Sequence, residues 1–163
     1  MLRPVGRAHR ARLEQLTRGT GLFREEEVAT AVELLDASLD GDQDYRFLGA
    51  FDADQLIGYA CWGPTPGTNA TYDLYWIVVD RAHQSQGVGT QLLGAVEQRL
   101  TTHDARLVVV ETSSRDDYQP TRKFYEARGY TRAATIPGYY APGDDLVIYT
   151  KDLTDGELAR AAP

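Results

Sequence analysis

Apolar residues recur along the chain at helical spacing in some segments and form continuous runs in others. Between positions 24 and 39 they return every three or four residues, which predicts a helix with one buried face. The residues of this stripe are Val28, Val32, Leu35 and Leu39. A second stripe between 87 and 100 predicts another helix. It comprises Val88, Leu92, Leu93, Val96 and Leu100. Two further helices are predicted, over residues 8–17 and 120–128.

The strongest strand signal is the run from Thr71 to Val79, in which Asp73 is the only charged residue. Such a nearly continuous apolar run predicts a central strand covered on both faces. A second buried strand is predicted for Arg106–Thr112. Five more segments have strand composition: Leu2–Val5, Tyr45–Phe51, Gln55–Gly63, Thr131–Ile136 and Leu146–Lys151. A loop is predicted over 139–143. The order of elements predicts an α/β (α+β) fold, with a mixed sheet of six to seven strands flanked by about four helices.

Length and composition predict a single domain over residues 1–163, since 163 residues with 42% hydrophobic content suffice for one core. The formal charge of −7 argues against nucleic-acid binding, which depends on Lys and Arg. It suits a cationic substrate, although solubility alone also accounts for it. No apolar stretch approaches 18 residues, so no membrane span is expected. The single cysteine, Cys61, fits the cytoplasm, and no metal-ligand spacing is present.

The segment between the 71–79 strand and the 87–100 helix has the features of a phosphate site. Gly87 and Gly89 allow a ligand to approach the backbone closely. The first N–H groups of a helix have no partner within it, and they bind anions. Residues 87–96 carry no charged side chain that would repel one. The Walker and Rossmann patterns both fail here. A glycine-rich turn into a buried helix is the structural alternative.

The run Gln84-Ser-Gln-Gly-Val-Gly89 resembles the Q/R-x-x-G-x-G/A signature of the GNAT N-acetyltransferases. The resemblance implies that acetyl-CoA is the co-substrate and that this loop holds its pyrophosphate. It also implies that the cofactor lies where two central parallel strands splay, with the backbone of 77–79 along its pantetheine arm. The cofactor-binding residues implied in this way are Ile77, Val78, Val79, Gln84, Ser85, Gln86, Gly87, Val88, Gly89, Thr90 and Phe124.

A second segment, Phe124-Tyr125 followed by Gly129-Tyr130, is similar to the FY-x-x-x-GF/Y stretch of the same family. Together the two motifs extend the resemblance over about residues 56–150. In the family, the tyrosine at the position of Tyr125 protonates the leaving thiolate, so Tyr125 is the expected general acid. Many members carry an asparagine where this chain has Tyr118, so that contact to coenzyme A must be replaced or lost.

Two carboxylates are candidates for the general base that accepts a proton from the amine. Asp73 aligns with the base of the histone-type acetyltransferases, and Glu111 aligns with a glutamate of the ribosomal-protein N-terminal acetyltransferases. Asp73 lies among apolar strand neighbours, whereas Glu111 is expected at a solvated strand end. Desolvation raises a carboxyl pKa toward the operating pH. Asp73 is therefore expected to contribute more, with a water relay as the alternative.

The acceptor is the least determined part of the reaction. A small molecule, a peptide N-terminus and a protein lysine all remain open, and the acidic charge favours a small polyamine or amino compound. The aromatic and acidic segment 139–145 could line an amine pocket or could be a packed connector. A non-catalytic coenzyme A sensor and transfer of a longer acyl group remain as alternatives. The protein is expected to be a monomer or a homodimer.

Overall fold

The computed structural model describes residues 1–154, which form one mixed sheet, four α-helices and three short 3₁₀ helices. The strands are β1 (Leu2–Arg3), β2 (Arg46–Asp52), β3 (Gln55–Pro64), β4 (Thr71–Val79), β5 (Leu107–Ser113), β6 (Thr131–Ala141) and β7 (Asp144–Asp152). The helices are α1 (Arg10–Gly19), α2 (Glu25–Leu39), α3 (Val88–Thr101) and α4 (Gln119–Glu126). The 3₁₀ helices are Arg7–His9, Arg81–His83 and Asp116–Tyr118. The predicted fold class is confirmed.

The strand order in the sheet is β1-β2-β3-β4-β5-β7-β6. The β1–β2, β2–β3, β5–β7 and β7–β6 pairs are antiparallel, whereas β4 and β5 are parallel. A parallel pair needs a crossover connection, and here that connection contains α3. Of the described helices, none is both long and apolar enough to cross a membrane.

The contacts within the chain define two compact units. The first contains residues 1–64 and 75–100. Its core is built around the buried faces of α1 and α2 and the side chains of β2, β3 and β4. The predicted stripe of α2 is buried at Val28, Val32 and Leu35. Three glutamates in the first turn favour the N-terminus of α2, because the helix dipole is positive there.

The third helix, α3, buries the stripe that its spacing predicts. Its buried residues are Val88, Leu92, Leu93, Val96 and Leu100. Near the start of this helix, the backbones of β3 and β4 pass very close to each other. A Cβ atom added to Gly58 would lie 2.8 Å from the carbonyl oxygen of Val78, so only glycine fits at that point.

The second unit contains residues 65–74 and the described residues from 101 onward. Its core side chains come from β5, β7 and α4 and include Val108, Val110, Leu146, Val147, Tyr149 and Tyr125. Helix α4 has a proline in its first turn. It is followed by Gly129 at φ +84°, a conformation that glycine adopts readily. Every residue of the edge strand β6 is exposed.

Three details of the predicted elements are wrong. First, β4 is not covered on both faces: Leu74 and Val78 are buried, and its other residues are partly exposed. The apolar run is aromatic-rich, and tyrosine and tryptophan pack while part of the ring remains in contact with water. Second, residues 139–141 belong to strand β6, so the connection to β7 is only Pro142 and Gly143. Third, β1 is shorter than expected and ends at Arg3.

Candidate active site

The segment that follows β4 begins at Asp80, and the side chain of Asp80 holds it in place. One carboxylate oxygen of Asp80 accepts a hydrogen bond from the N–H of Ala82 at 3.1 Å, and the other forms an ion pair with Arg12. The Arg12 Nε also donates to the Leu56 carbonyl oxygen at 3.1 Å. The hydrogen bond from the Ala82 N–H, and after it the hydrogen bond and charge of Arg12, hold the pKa of Asp80 below its usual value. The ion pair therefore ties the loop to α1 and β3.

The loop backbone adopts left-handed conformations at two positions separated by one residue. Ser85 has φ +61° and Gly87 has φ +82°. Gln84, which precedes them, is extended at φ −65° and ψ 156°, so the two positive-φ residues turn the backbone sharply just before α3. Turns of this kind can leave N–H groups pointing at an anion. The side chain of Gln86 closes the loop by donating from Nε2 to the Ala82 carbonyl oxygen at 3.0 Å. A Cβ atom on Gly87 would have no neighbour within 4 Å, so space is open at that point.

The electrostatics of this loop favour an anion. Helix α3 begins directly after it at Val88 and has no acidic residue in its first turn. The positive end of the helix dipole and the N–H groups of the first turn act at the same place. Residues 84–87 are exposed, so a ligand can reach them. The residues present therefore fit the pyrophosphate that the sequence motif predicts at this loop.

The other residues of the first unit that are predicted to contact the cofactor differ in their solvent exposure. Val78 is 1% exposed as a whole residue and packs in the core, so neither its side chain nor its backbone is open to a ligand. Ile77 and Val79 are half-buried, and Thr90 is exposed on α3.

In the second unit, Asp73 lies where β4 pairs with β5, opposite Val109. Its Oδ2 accepts a hydrogen bond from the Thr65 Oγ1 at 2.8 Å. The turn that carries Thr65 is held in place, since the Thr65 N–H donates to the Thr71 carbonyl oxygen at 2.9 Å. The Asp73 carboxylate is therefore oriented by a threonine on the preceding loop.

Glu111 lies two residues before the end of β5 at Ser113. The residue as a whole is exposed. Even so, enough protein surrounds its carboxyl group that desolvation raises its pKa, and the negative charge of Asp73 raises it further. The structure therefore brings the two candidate bases together, because the charge of one acts on the ionisation of the other.

Tyr125 lies on α4 and is 3% exposed. Its ring meets the rings of Phe124 and Tyr130 edge to face, with centroids 5.2 Å and 5.3 Å away. Burial raises the pKa of the Tyr125 phenol, so the hydroxyl keeps its proton across the physiological pH range. Phe124 is half-buried, and the guanidinium of Arg128 lies 3.7 Å from its ring centroid. These contacts fix the orientation of the Tyr125 ring.

Tyr118, which replaces the asparagine of many relatives, is half-buried at the start of α4. The guanidinium of Arg115 lies 5.1 Å from its ring centroid. Arg115 is also hydrogen bonded to Asp117 from Nε at 3.0 Å. Tyr118 thus presents an aromatic ring and a phenol where an asparagine would present an amide.

Two features of the site have no clear local signal in the sequence. Thr65 is not predictable as a site residue, because its partner, Asp73, is eight positions away, beyond a turn whose path the sequence does not show. Tyr139 and Tyr140, which the sequence predicts to lie in a loop, are part of strand β6. The Pro137-Gly138 dipeptide was the signal that could have located an irregularity there. Among residues 1–154, no group of three or more His, Cys, Asp or Glu side chains is arranged to hold a metal ion.

Comparison with known proteins gives one family. A model described as the acetyltransferase (GNAT) family matches residues 11–130. A crystal structure of a GNAT-family protein from Desulfovibrio desulfuricans is 38% identical, with a TM-score of 0.89, and the match covers 94% of this chain and 98% of that one. An aminoglycoside 6'-N-acetyltransferase complexed with coenzyme A has the same fold at 17% identity, a TM-score of 0.76 and coverage of 94% and 97%.

Among curated proteins, the chain is similar to S-(2-succino)cysteine N-acetyltransferase of Bacillus subtilis strain 168. The identity is 28% over 72 residues. That match spans 44% of each chain, which is less than half the length of the relative.

Proposed function

This chain belongs to the GNAT family of acetyltransferases, and we propose that it transfers an acetyl group from acetyl-CoA to a primary amine of a small molecule or peptide. The observation that carries the cofactor assignment is the loop at Ser85 and Gly87. Its two left-handed residues lead into a helix N-terminus without acidic side chains. We further propose that residues 1–163 form one catalytic domain and that the reaction takes place in the cytoplasm.

The transfer joins the acceptor nitrogen to the acetyl carbonyl carbon and breaks the bond from that carbon to sulfur. The electron pair of the broken bond leaves with sulfur as a thiolate. The nitrogen must lose a proton, and the thiolate must gain one or accept a hydrogen bond. The protein therefore has to supply one proton acceptor and one donor.

We assign the acceptor role first to Glu111. A carboxyl group whose pKa is raised toward the operating pH is a better base than an ordinary carboxylate, and desolvation and Asp73 both raise that of Glu111. Asp73 then acts on the reaction through its negative charge, with its carboxylate oriented by Thr65. This assignment reverses the expectation from the strand positions alone, which place Asp73 ahead of Glu111 as the base.

We assign the donor role to Tyr125. Burial keeps its phenol protonated, so a donor is present throughout the physiological pH range. The pKa of the phenol lies well above that of an ordinary thiol, about 8.5. Complete proton transfer to the thiolate is therefore uphill, and Tyr125 stabilises the developing negative charge mainly as a hydrogen-bond donor.

The experiment that tests this function is an acceptor screen that follows thiol release from acetyl-CoA. The panel contains diamines, monoamines, amino acids and peptides with free N-termini. We expect amine-dependent thiol release and an N-acetylated product of the corresponding mass. A chain that is stabilised by acetyl-CoA but releases no thiol with any amine would instead be a coenzyme A-binding module. Faster release from longer acyl-CoA substrates would overturn the acetyl assignment.

A further inference from the structure

Strand β6 carries a large bulge. Its pairing with β7 passes from Ile136 opposite Leu146 directly to Ala141 opposite Asp144. Residues 137–140 therefore lie opposite Asp145 alone. A bulge of this kind changes the direction of the side chains it contains, and bulges are frequent next to active sites.

The bulge is fixed by specific hydrogen bonds. Gly138 has φ +63°, and its N–H donates to the Asp145 Oδ1 at 2.8 Å. Asp145 is itself joined to the end of β5, because its N–H donates to the Ser114 Oγ at 2.8 Å and its carbonyl oxygen accepts from the Ser114 N–H at 2.9 Å. The conformation of residues 137–140 is thus determined by the neighbouring strands.

The bulge presents two tyrosines to solvent. Tyr139 is 56% exposed and Tyr140 is 40% exposed. Their ring centroids are 5.0 Å apart and their planes meet at 89°. Two perpendicular aromatic faces form two walls of a corner. Such a corner attracts cations, because the face of each ring carries partial negative charge.

The surroundings of this corner are negatively charged. Tyr140 has a pKa of about 12, raised first by burial and then by the charge of Glu111, with a smaller contribution from Asp144. Asp144 accepts a hydrogen bond from the Ser113 hydroxyl. Arg115 approaches Asp144 to 4.0 Å, and its Nε is hydrogen bonded to Asp117. The corner therefore lies in the field of the carboxylate that we assign as base.

We propose that Tyr139 and Tyr140 bind a second cationic group of the acceptor, so that the preferred acceptor is a small diamine or polyamine. The proposal rests on the proposed function and adds the substrate class to it. One amine of the acceptor loses its proton near Glu111 and attacks the acetyl group. The other remains an ammonium ion and lies against the faces of the two rings.

The test compares 1,4-diaminobutane with n-pentylamine, in which a methyl group replaces the second ammonium. We expect the wild-type kcat/KM to be at least about 10-fold higher for the diamine. Tyr139→Leu and Tyr140→Leu remove the aromatic faces and keep apolar bulk. Each is expected to reduce the preference by roughly 2- to 30-fold, the range of a cation–π contact between exposed and desolvated sites. Tyr139→Phe and Tyr140→Phe keep the faces and should retain the preference.

The control is Ile136→Ala, which alters a large exposed side chain on the same strand outside the bulge and should leave the preference intact. Equal kcat/KM for the two amines in the wild type would overturn the proposal while leaving amine acetylation in place. If the leucine variants lower kcat/KM equally for both amines, or change the oligomeric state, the two tyrosines are packing residues and the proposal is wrong. If no amine is acetylated, the proposed function fails, and this proposal fails with it.

Discussion

Replacing Gly87 tests the phosphate loop most directly, because this residue combines a special conformation with open space. At φ +82° a β-branched side chain is strained. The strain costs roughly 1–2 kcal/mol. For a chain of this size, each kcal/mol lowers the melting temperature by about 2–4 °C. We therefore expect Gly87→Val to lower the melting temperature of the free protein by roughly 2–8 °C, which leaves it folded at 25 °C.

The larger expected effect is on cofactor binding. A ligand at 100 times its dissociation constant stabilises the folded state by about 2.7 kcal/mol. The wild-type melting temperature should then rise by roughly 5–11 °C with acetyl-CoA. In Gly87→Val the added side chain lies in the space next to the loop N–H groups, so this rise should be lost. Thermal unfolding with and without acetyl-CoA measures both quantities.

Two further variants separate the effect of backbone strain at position 87 from the blocking of the cofactor by the added side chain. Asparagine tolerates left-handed backbone, so Gly87→Asn should stay close to wild-type stability and still block the cofactor. Gly94→Ala is the matched control, since Gly94 is an exposed glycine within α3 with no neighbour within 4 Å of its Cβ. It should stabilise the protein by about 0.5–1 kcal/mol and leave the cofactor response unchanged. A wild-type response in both Gly87 variants would refute the assignment of this loop.

Three further predictions concern catalysis and stability. Glu111→Gln should lower kcat/KM by roughly 10²- to 10⁴-fold and abolish the acidic limb of the pH–rate profile. Asp73→Asn should move that limb to lower pH, because it removes a charge that raises the pKa of Glu111; an unmoved limb would show that Glu111 is not the titrating base. Tyr125→Phe should keep the cofactor-induced rise in melting temperature but lower turnover by roughly 10- to 1000-fold, and unchanged single-turnover rates would contradict its role as donor. Thr17→Val should cost about 1–3 kcal/mol in urea unfolding, since the hydroxyl of buried Tyr59 loses a partner at 2.6 Å; the double variant with Tyr59→Phe should recover most of that loss.

The helices and the loop before α3 could be predicted because their signals depend on spacing along the chain. The α3 stripe and the absence of acidic residues in its first turn are visible in the sequence and are present in the structure. The left-handed turn at Gly87 follows from the one residue that enters that region freely. Ser85 shares the conformation, and nothing in its chemistry indicated that.

The path of β6 could not be predicted in the same way. Its bulge depends on the hydrogen bond from Gly138 to Asp145, two residues on different strands. The turn signals in this stretch, Pro137-Gly138 and Pro142-Gly143, compete within a few positions, and local patterns favoured a single loop. Whether Tyr139 and Tyr140 are part of a connector or of a structured corner is decided by pairing across the sheet.

The order of the two candidate bases has the same origin. Sequence neighbours describe the strand around a carboxylate, but the solvation of its charged end depends on what reaches it from other strands. Glu111 on β5 is influenced by Asp73 on β4, and its own charge acts on Tyr140 on β6. These groups are separated by dozens of residues along the chain. Since the charge of Asp73 raises the pKa of Glu111, we expect a change at Asp73 to be measurable in the pH dependence of the rate if Glu111 is the base.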